Sequence, residues 1–410
     1  MKPLLELGDF YVSDFVKEQP TDRKKYSLNL YRDSRVNAPR LQNIAPPETM
    51  WGQYWYRSGI NASMTKELRR IVEEITDRVK LKEGDAWLDI ACNDGTLLSF
   101  VPEKCEKFGI DPADDTYLAE SSKHAKVAQT YFTREAFRGL TDKKAKVITC
   151  IAMFYDLDDP EPFVQDLYNS LDNNGTLVLQ MSYTPLMIEQ MAFDNICHEH
   201  VYYYDLYSIW QLFCDRPDSR FKVMDVSLND TNGGSFRIYL QKEEALDSSF
   251  GTQPLRDVCH MRIRNVLATE DKLRIDDFNV WQEFGNRLQA LKKEVRTFIA
   301  DERAKGKTVW GYGASTKGNT LLQYFELDVT MIDAIAERSP YKFGLRTIGT
   351  DIPIVSEDEM RAAKPDYLLV LPWHFIDEFQ EREVEYLKNG GAFIVPCPDF
   401  KVIRYEDCIL

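Results

Sequence analysis

The feature that most restricts the fold is an alternation. Between residues 86 and 182, short apolar runs (Ala86–Ala91, Phe108–Ile110, Val147–Met153 and Thr176–Met181) are separated by stretches of helical composition. That alternation predicts a parallel sheet joined by crossover helices. The pattern starts again at Thr308-Val309-Trp310-Gly311-Tyr312-Gly313 and runs through Ile332–Ala336, Tyr367–Leu371 and Ala392–Val395. The expected fold class is α/β: two Rossmann-like doubly wound units in series with a small irregular N-terminal arm.

The boundaries follow from where the patterns change. Residues 1–60 hold no sustained period and read as an arm or small subdomain. From Asn61 an amphipathic helix is predicted, with Leu68, Ile71, Val72, Ile75 and Val79 on one face. The first unit spans 61–245 and closes with Phe221–Leu228 and Ser235–Gln241, which flank Asn232-Gly233-Gly234 and predict an antiparallel hairpin at the sheet edge. A helical connector spans 246–305, with a long helix expected over Leu255–Lys305 that carries Phe284, Leu288, Leu291, Val295, Phe298 and Ile299, and the second unit spans 306–410.

A chain of 410 residues, 44% hydrophobic and 29% charged, is a folded multidomain protein. Its formal net charge of -15 repels phosphate backbones and anionic lipid, so nucleic acid and membrane are not expected partners. The first residues carry acids where a signal peptide needs an apolar stretch, and a cytoplasmic location is expected. None of the eight cysteines forms a C-x-x-C pair, which predicts reduced, mostly buried thiols and no metal.

The first strand and its turn, Trp87-Leu88-Asp89-Ile90-Ala91-Cys92-Asn93-Asp94-Gly95, lie where a doubly wound sheet holds its ligand. Gly95 lets backbone approach that ligand, and Asp111, 22 residues beyond Asp89, is placed to take ribose hydroxyls. One glycine stands where a dinucleotide fingerprint has three, and Asp94 would repel a pyrophosphate. A cationic sulfonium with an amino-acid tail suits the turn better, so the expected cofactor is S-adenosylmethionine, held by Asp89, Ala91, Asn93, Gly95 and Asp111.

Four blocks then come in one order: Asp89–Leu98; Phe193-Asp194-Asn195-Ile196-Cys197-His198-Glu199-His200-Val201-Tyr202-Tyr203-Tyr204; Gly233-Gly234-Ser235-Phe236-Arg237; and Gly311–Thr320 with Pro340–Gly344 and Ile352–Ile354. Over residues 50–410 this order resembles the bacterial C-methyltransferases that act on nucleotide-linked ketosugars, enzymes of deoxysugar and polysaccharide biosynthesis. The resemblance implies a catalytic Glu199-His200 pair, aromatic substrate contacts at Tyr54 and Tyr56, and a second unit that helps to hold a nucleotide-sugar and carries no redox cofactor. Three departures stand out. Residues 1–60 contain no cysteine, where the family usually has a zinc module. Cys197 replaces a tyrosine often found three residues before the histidine, and Tyr155-Asp156 replaces a histidine after the fourth strand.

Carbon methylation beside a ketone needs a base for a weakly acidic proton and donors for the enolate. His200 reads as that base, with Glu199 orienting it and Tyr56 bonding the ketone oxygen, while Tyr54, His198, Gly313, Lys317 and Lys342 read as substrate-binding. The His198-Glu199-His200 run also reads as a plain polar stretch or as half of a metal site. Lys317, beside a helix start, suggests a phosphate partner. O-methylation of a sugar hydroxyl, an NAD-dependent sugar oxidoreductase using the Gly311–Gly318 turn with Glu337 on the ribose, and a non-catalytic sugar-nucleotide binder stay open. So does the oligomeric state.

Overall fold

Where the sequence predicts an irregular arm, a small sheet forms. In a computed structural model, which describes residues 2–46, 49–50, 56–218 and 220–408, β1 (Leu5–Tyr11), β3 (Lys25–Asp33) and β4 (Ala38–Leu41) pair antiparallel, with Leu5 opposite Leu30 and Leu30 opposite Leu41. The short strand β2 (Phe15–Val16) lies outside that sheet. Leu5, Leu7, Leu28, Leu30 and Leu41 point into one core. The alternation escapes notice because a register shift between Glu6 and Asp9, at positive-φ Gly8, interrupts it after two leucines.

The first unit opens with α1 (Ala62–Arg78), capped by Asn61, whose side chain accepts the Ser63 N–H. Leu68, Ile71, Val72 and Ile75 pack on Trp87, Val147, Val178 and Tyr239. Their burial, about 2 kcal/mol each, outweighs the few tenths lost by placing β-branched residues in a helix. Next come β5 (Ala86–Ile90), the short α2 (Thr96–Phe100), β6 (Glu106–Ile110), β7 (Lys126–Ala128), β8 (Ala145–Ile151), β9 (Leu171–Ser182), β10 (Phe221–Asn229) and β11 (Ser235–Lys242). They form a seven-stranded sheet in the order β10-β11-β9-β8-β5-β6-β7. The five strands from β9 to β7 are parallel, and the expected hairpin closes one edge antiparallel. The order reverses at β5 and β8, which opens a crevice at their carboxyl ends.

The connector is two helices where one is expected, α3 (Gln253–Leu273) and α4 (Phe278–Ala304). Arg274 turns left-handed (φ 50) and the Asp277 side chain caps the second helix at Asn279. Different cores decide the break: α3 packs on β10, whereas Trp281, Phe284, Leu288 and Val295 of α4 join the core of the second unit.

That unit comprises β12 (Val309–Tyr312), α5 (Thr316–Phe325), β13 (Ile335–Glu337), β14 (Arg346–Thr347), β15 (Ile354–Ser356), β16 (Tyr367–Val370), β17 (Ala392–Val395) and β18 (Lys401–Ile403). Its six-stranded sheet runs β15-β13-β12-β16-β17-β18, parallel except for β18, and reverses at β12 and β16. β14 stands apart and pairs with β2.

Arg237 on β11 ties α1 to the sheet. Its guanidinium is almost wholly buried and bonds Glu67, Glu74 at 2.6 Å and Gln180 at 2.8 Å. Removing a buried ion-pair partner leaves acids uncompensated, so Arg237→Ala is expected to cost about 3 kcal/mol in urea unfolding.

Candidate active site

At the end of β5 the chain enters a turn with three left-handed residues, Ala91 (φ 58), Asn93 (φ 51) and Gly95 (φ 78). Strain of this kind persists where surroundings impose it, and here they do. The Asn93 N–H donates to Asp111 at 2.7 Å, and its side chain accepts the Ser58 N–H and donates to the Tyr56 carbonyl, both at 3.1 Å. Gly59 N–H donates to Asp94 at 2.9 Å. Gly95 is required by packing as well as by φ, since a Cβ there would lie 2.7 Å from Ser121 Cα.

Asp89 lies beneath the turn, where it accepts Thr149 Oγ1–H at 2.6 Å. Burial, partly offset by that bond, pushes it up to about 7. Asp111 is raised by burial as well, and its two oxygens each accept one backbone N–H, from Asn93 and Ala113. A carboxylate oxygen has a second lone pair, so acceptor capacity is left for ribose hydroxyls. With Asp89, Asp94 and Asp111 around it, the turn fits a sulfonium and opposes a pyrophosphate.

The second cluster sits on residues 193–201, a segment buried throughout except at Glu199. His200 Nδ1 lies 2.8 Å from the Asn195 carbonyl. A carbonyl only accepts, so Nδ1 carries the proton and Nε2 keeps its lone pair. Burial, with Lys317 adding to it, pushes His200 down to about 3. Glu199 is pushed up to about 7 by burial, with Lys317 pulling the other way. Burial holds Asp156 and Asp194 above the usual carboxylate range; Trp373 Nε1–H donates to Asp194 at 3.4 Å.

Lys317 arrives from the other unit. It is the second residue of α5, whose cap Ser315 accepts the Gly318 N–H, and its ammonium donates to Asn195 Oδ1. Its charge acts on Asp156, Asp194, Cys197, Glu199, His200 and His374. Lys317 follows β12 and His374 follows β16, so the switch point of the second sheet faces the first unit. A cleft of about 280 Å³ opens beside His374, bounded by Ser63, Met64, Glu67 and Glu378.

Several expected contacts have other work. His198 is 2% exposed and its Nε2 lies 3.0 Å from the Tyr26 carbonyl, so it pins the N-terminal sheet and does not face the cleft. Gly313 is a glycine because a Cβ would meet Pro372 at 2.7 Å. Lys342 donates to the Ala314 carbonyl at 2.7 Å and lies 3.9 Å from Glu337, bracing the turn. Glu337, the ribose acid of the NAD reading, accepts the N–H groups of Ala314, Arg338 and Ser339. Lys317 lies among acids, a setting opposed to phosphate. Tyr56 is 43% exposed beside the cofactor turn; Tyr54 lies outside the described residues. Asn195 and His374 were not anticipated, although the position of His374 just past a strand at the sheet reversal was a readable signal.

Residues 60–216 match the methyltransferase domain family, and residues 230–398 match the C-methyltransferase C-terminal domain. The C-methyltransferase NovU of Streptomyces niveus is 27% identical over 372 residues, 90% of this chain and 86% of that protein. Among solved structures, N-methyltransferase NodS from Bradyrhizobium japonicum WM9 with S-adenosyl-L-homocysteine is 14% identical, with a TM-score of 0.33 over 44% of this chain and 87% of that one. The chain is an S-adenosylmethionine-dependent methyltransferase, and S-adenosyl-L-methionine is its cofactor. Along nine-tenths of its length it is similar to a C-methyltransferase.

Asp111→Ala is expected to weaken S-adenosylhomocysteine binding roughly 10- to 100-fold, the loss of one or two hydrogen bonds to a charged acceptor. Calorimetric titration checks it, and unchanged affinity would place the ribose elsewhere.

Proposed function

We propose that this enzyme methylates a carbon beside the ketone of a nucleotide-linked sugar. One observation carries the reading: a carboxyl poised near 7, a neutral imidazole of fixed tautomer and an ammonium meet where the two units join. The resemblance of the sequence blocks supports the acceptor class, and similarity to a C-methyltransferase supports carbon as the nucleophile.

The charges shift the expected roles. A general base works best when its pKa lies near the working pH. Glu199 meets that condition, and His200, held neutral near 3, does not. Glu199 therefore takes the α-proton, and His200 offers Nε2 as an acceptor that orients a sugar hydroxyl. Lys317 faces the developing enolate oxygen, where a fixed ammonium stabilises charge that exists only in the transition state. When bound, S-adenosylmethionine would supply the electrophilic methyl, its sulfur keeping the electron pair of the broken S–C bond and leaving as S-adenosylhomocysteine. Water finally removes the proton from Glu199.

Incubation with labelled methyl donor and nucleotide-ketosugars, followed by NMR location of the methyl, tests the reading; a methyl on oxygen overturns it. Glu199→Gln is expected to lower kcat by about 10²- to 10⁴-fold. The rate of the intact enzyme should rise with pH through about 7, as Glu199 loses its proton. Because Lys317 lowers Glu199, Lys317→Met should move that rise to higher pH; an unmoved profile would remove Glu199 as the base.

A further inference from the structure

We propose that Cys197, Glu199 and His200 form a site for a thiophilic divalent cation of the zinc class, and that its occupancy switches methyl transfer off. The switching half rests on the reading of Glu199 as the base; the binding half stands on geometry alone.

One ligand atom each from Cys197, Glu199 and His200 lies within 4.8 Å of the others. Tetrahedral zinc, with bonds of about 2.0–2.3 Å, sets its ligand atoms roughly 3.3–3.8 Å apart, so an inward movement of about 1 Å closes the set. His200 is already arranged as a metal-bound imidazole is: Nδ1–H donates to a backbone carbonyl, which leaves the lone pair on Nε2. Asp156 neighbours the set: its Oδ1 is buried with no hydrogen-bond partner among the described residues, the charge of Glu199 acts on it, and its own acts on Cys197.

Thiolate, imidazole and carboxylate together select zinc or cobalt and disfavour magnesium and calcium. Binding converts the Cys197 thiol to a thiolate and releases its proton to solvent. Cys197 is one of the departures noted in the sequence, and it adds a thiol donor to this place. An ion there engages Glu199 and the Nε2 of His200, which removes the base without touching the cofactor turn.

The test uses the full-length, tag-free enzyme, stripped with chelator and titrated with cobalt in the absence of acceptor. One equivalent should bind with a thiolate-to-cobalt charge-transfer band. Cys197→Ser should abolish that band and His200→Ala should weaken binding at least 10-fold, with S-adenosylhomocysteine affinity showing that each variant is folded. No saturable binding by the intact enzyme, or a band that survives Cys197→Ser, overturns the site. Zinc should also stop turnover reversibly, restored by chelator, with S-adenosylhomocysteine binding unchanged; full activity in the zinc-loaded enzyme overturns the switch. Since cobalt binding needs no acceptor, failure of the ketosugar reading leaves this measurement intact.

Discussion

Lys317 reaches from one unit into the other, and its ammonium meets Asn195 among three carboxyls that burial raises. Its charge offsets part of that burial at Asp156, Asp194 and Glu199. The lysine therefore joins the domains and moderates the proton affinities of the groups around it. The arrangement has a cost that varies with pH. Glu199 and Asp89 hold protons up to about 7, above their ordinary values of 4.5 and 3.8, so stability falls as pH rises from those values through 7. His200 and His374, pushed down to about 3, act oppositely, and stability is lost as pH falls from 6.5 through 3. Strain of this kind is what a fold carries where it performs chemistry.

The N-terminal segment holds this junction from outside. Tyr11 exchanges two hydrogen bonds with Gln323, Ser13 donates to the Thr316 carbonyl, and Asn319 donates to the Asp14 carbonyl, so the segment grips the helix that carries Lys317. Further along, residues 56–59 are bonded to the cofactor turn, and Arg338 of the second unit donates to the Ile60 carbonyl at 2.6 Å. A single stretch of chain thus touches both the turn that fits the methyl donor and the helix that presents the ammonium. A leucine core packed on α4 holds the N-terminal sheet in place.

Legibility followed the range of the interactions. The parallel strands were readable because each is a local apolar run, and the edge hairpin because its turn residues announce it. The N-terminal sheet was not, since its strands alternate for too few residues before Gly8 shifts the register. The break between α3 and α4 was hidden because both halves carry helical periods, and only their separate cores force a turn at Arg274.

For the site, the sequence alone determined the α/β class, the turn from Asp89 to Gly95 with its acid at Asp111, and the adjacency of Glu199 and His200. These are properties of neighbours in the chain. Tertiary structure decided that burial raises Glu199, that His198 and Lys342 brace the scaffold, and that Lys317 faces acids. Such outcomes depend on burial and on charges brought together across 122 residues of chain, as between Asn195 and Lys317. Proton affinity is a sum over spatial neighbours, and only the folded chain supplies them.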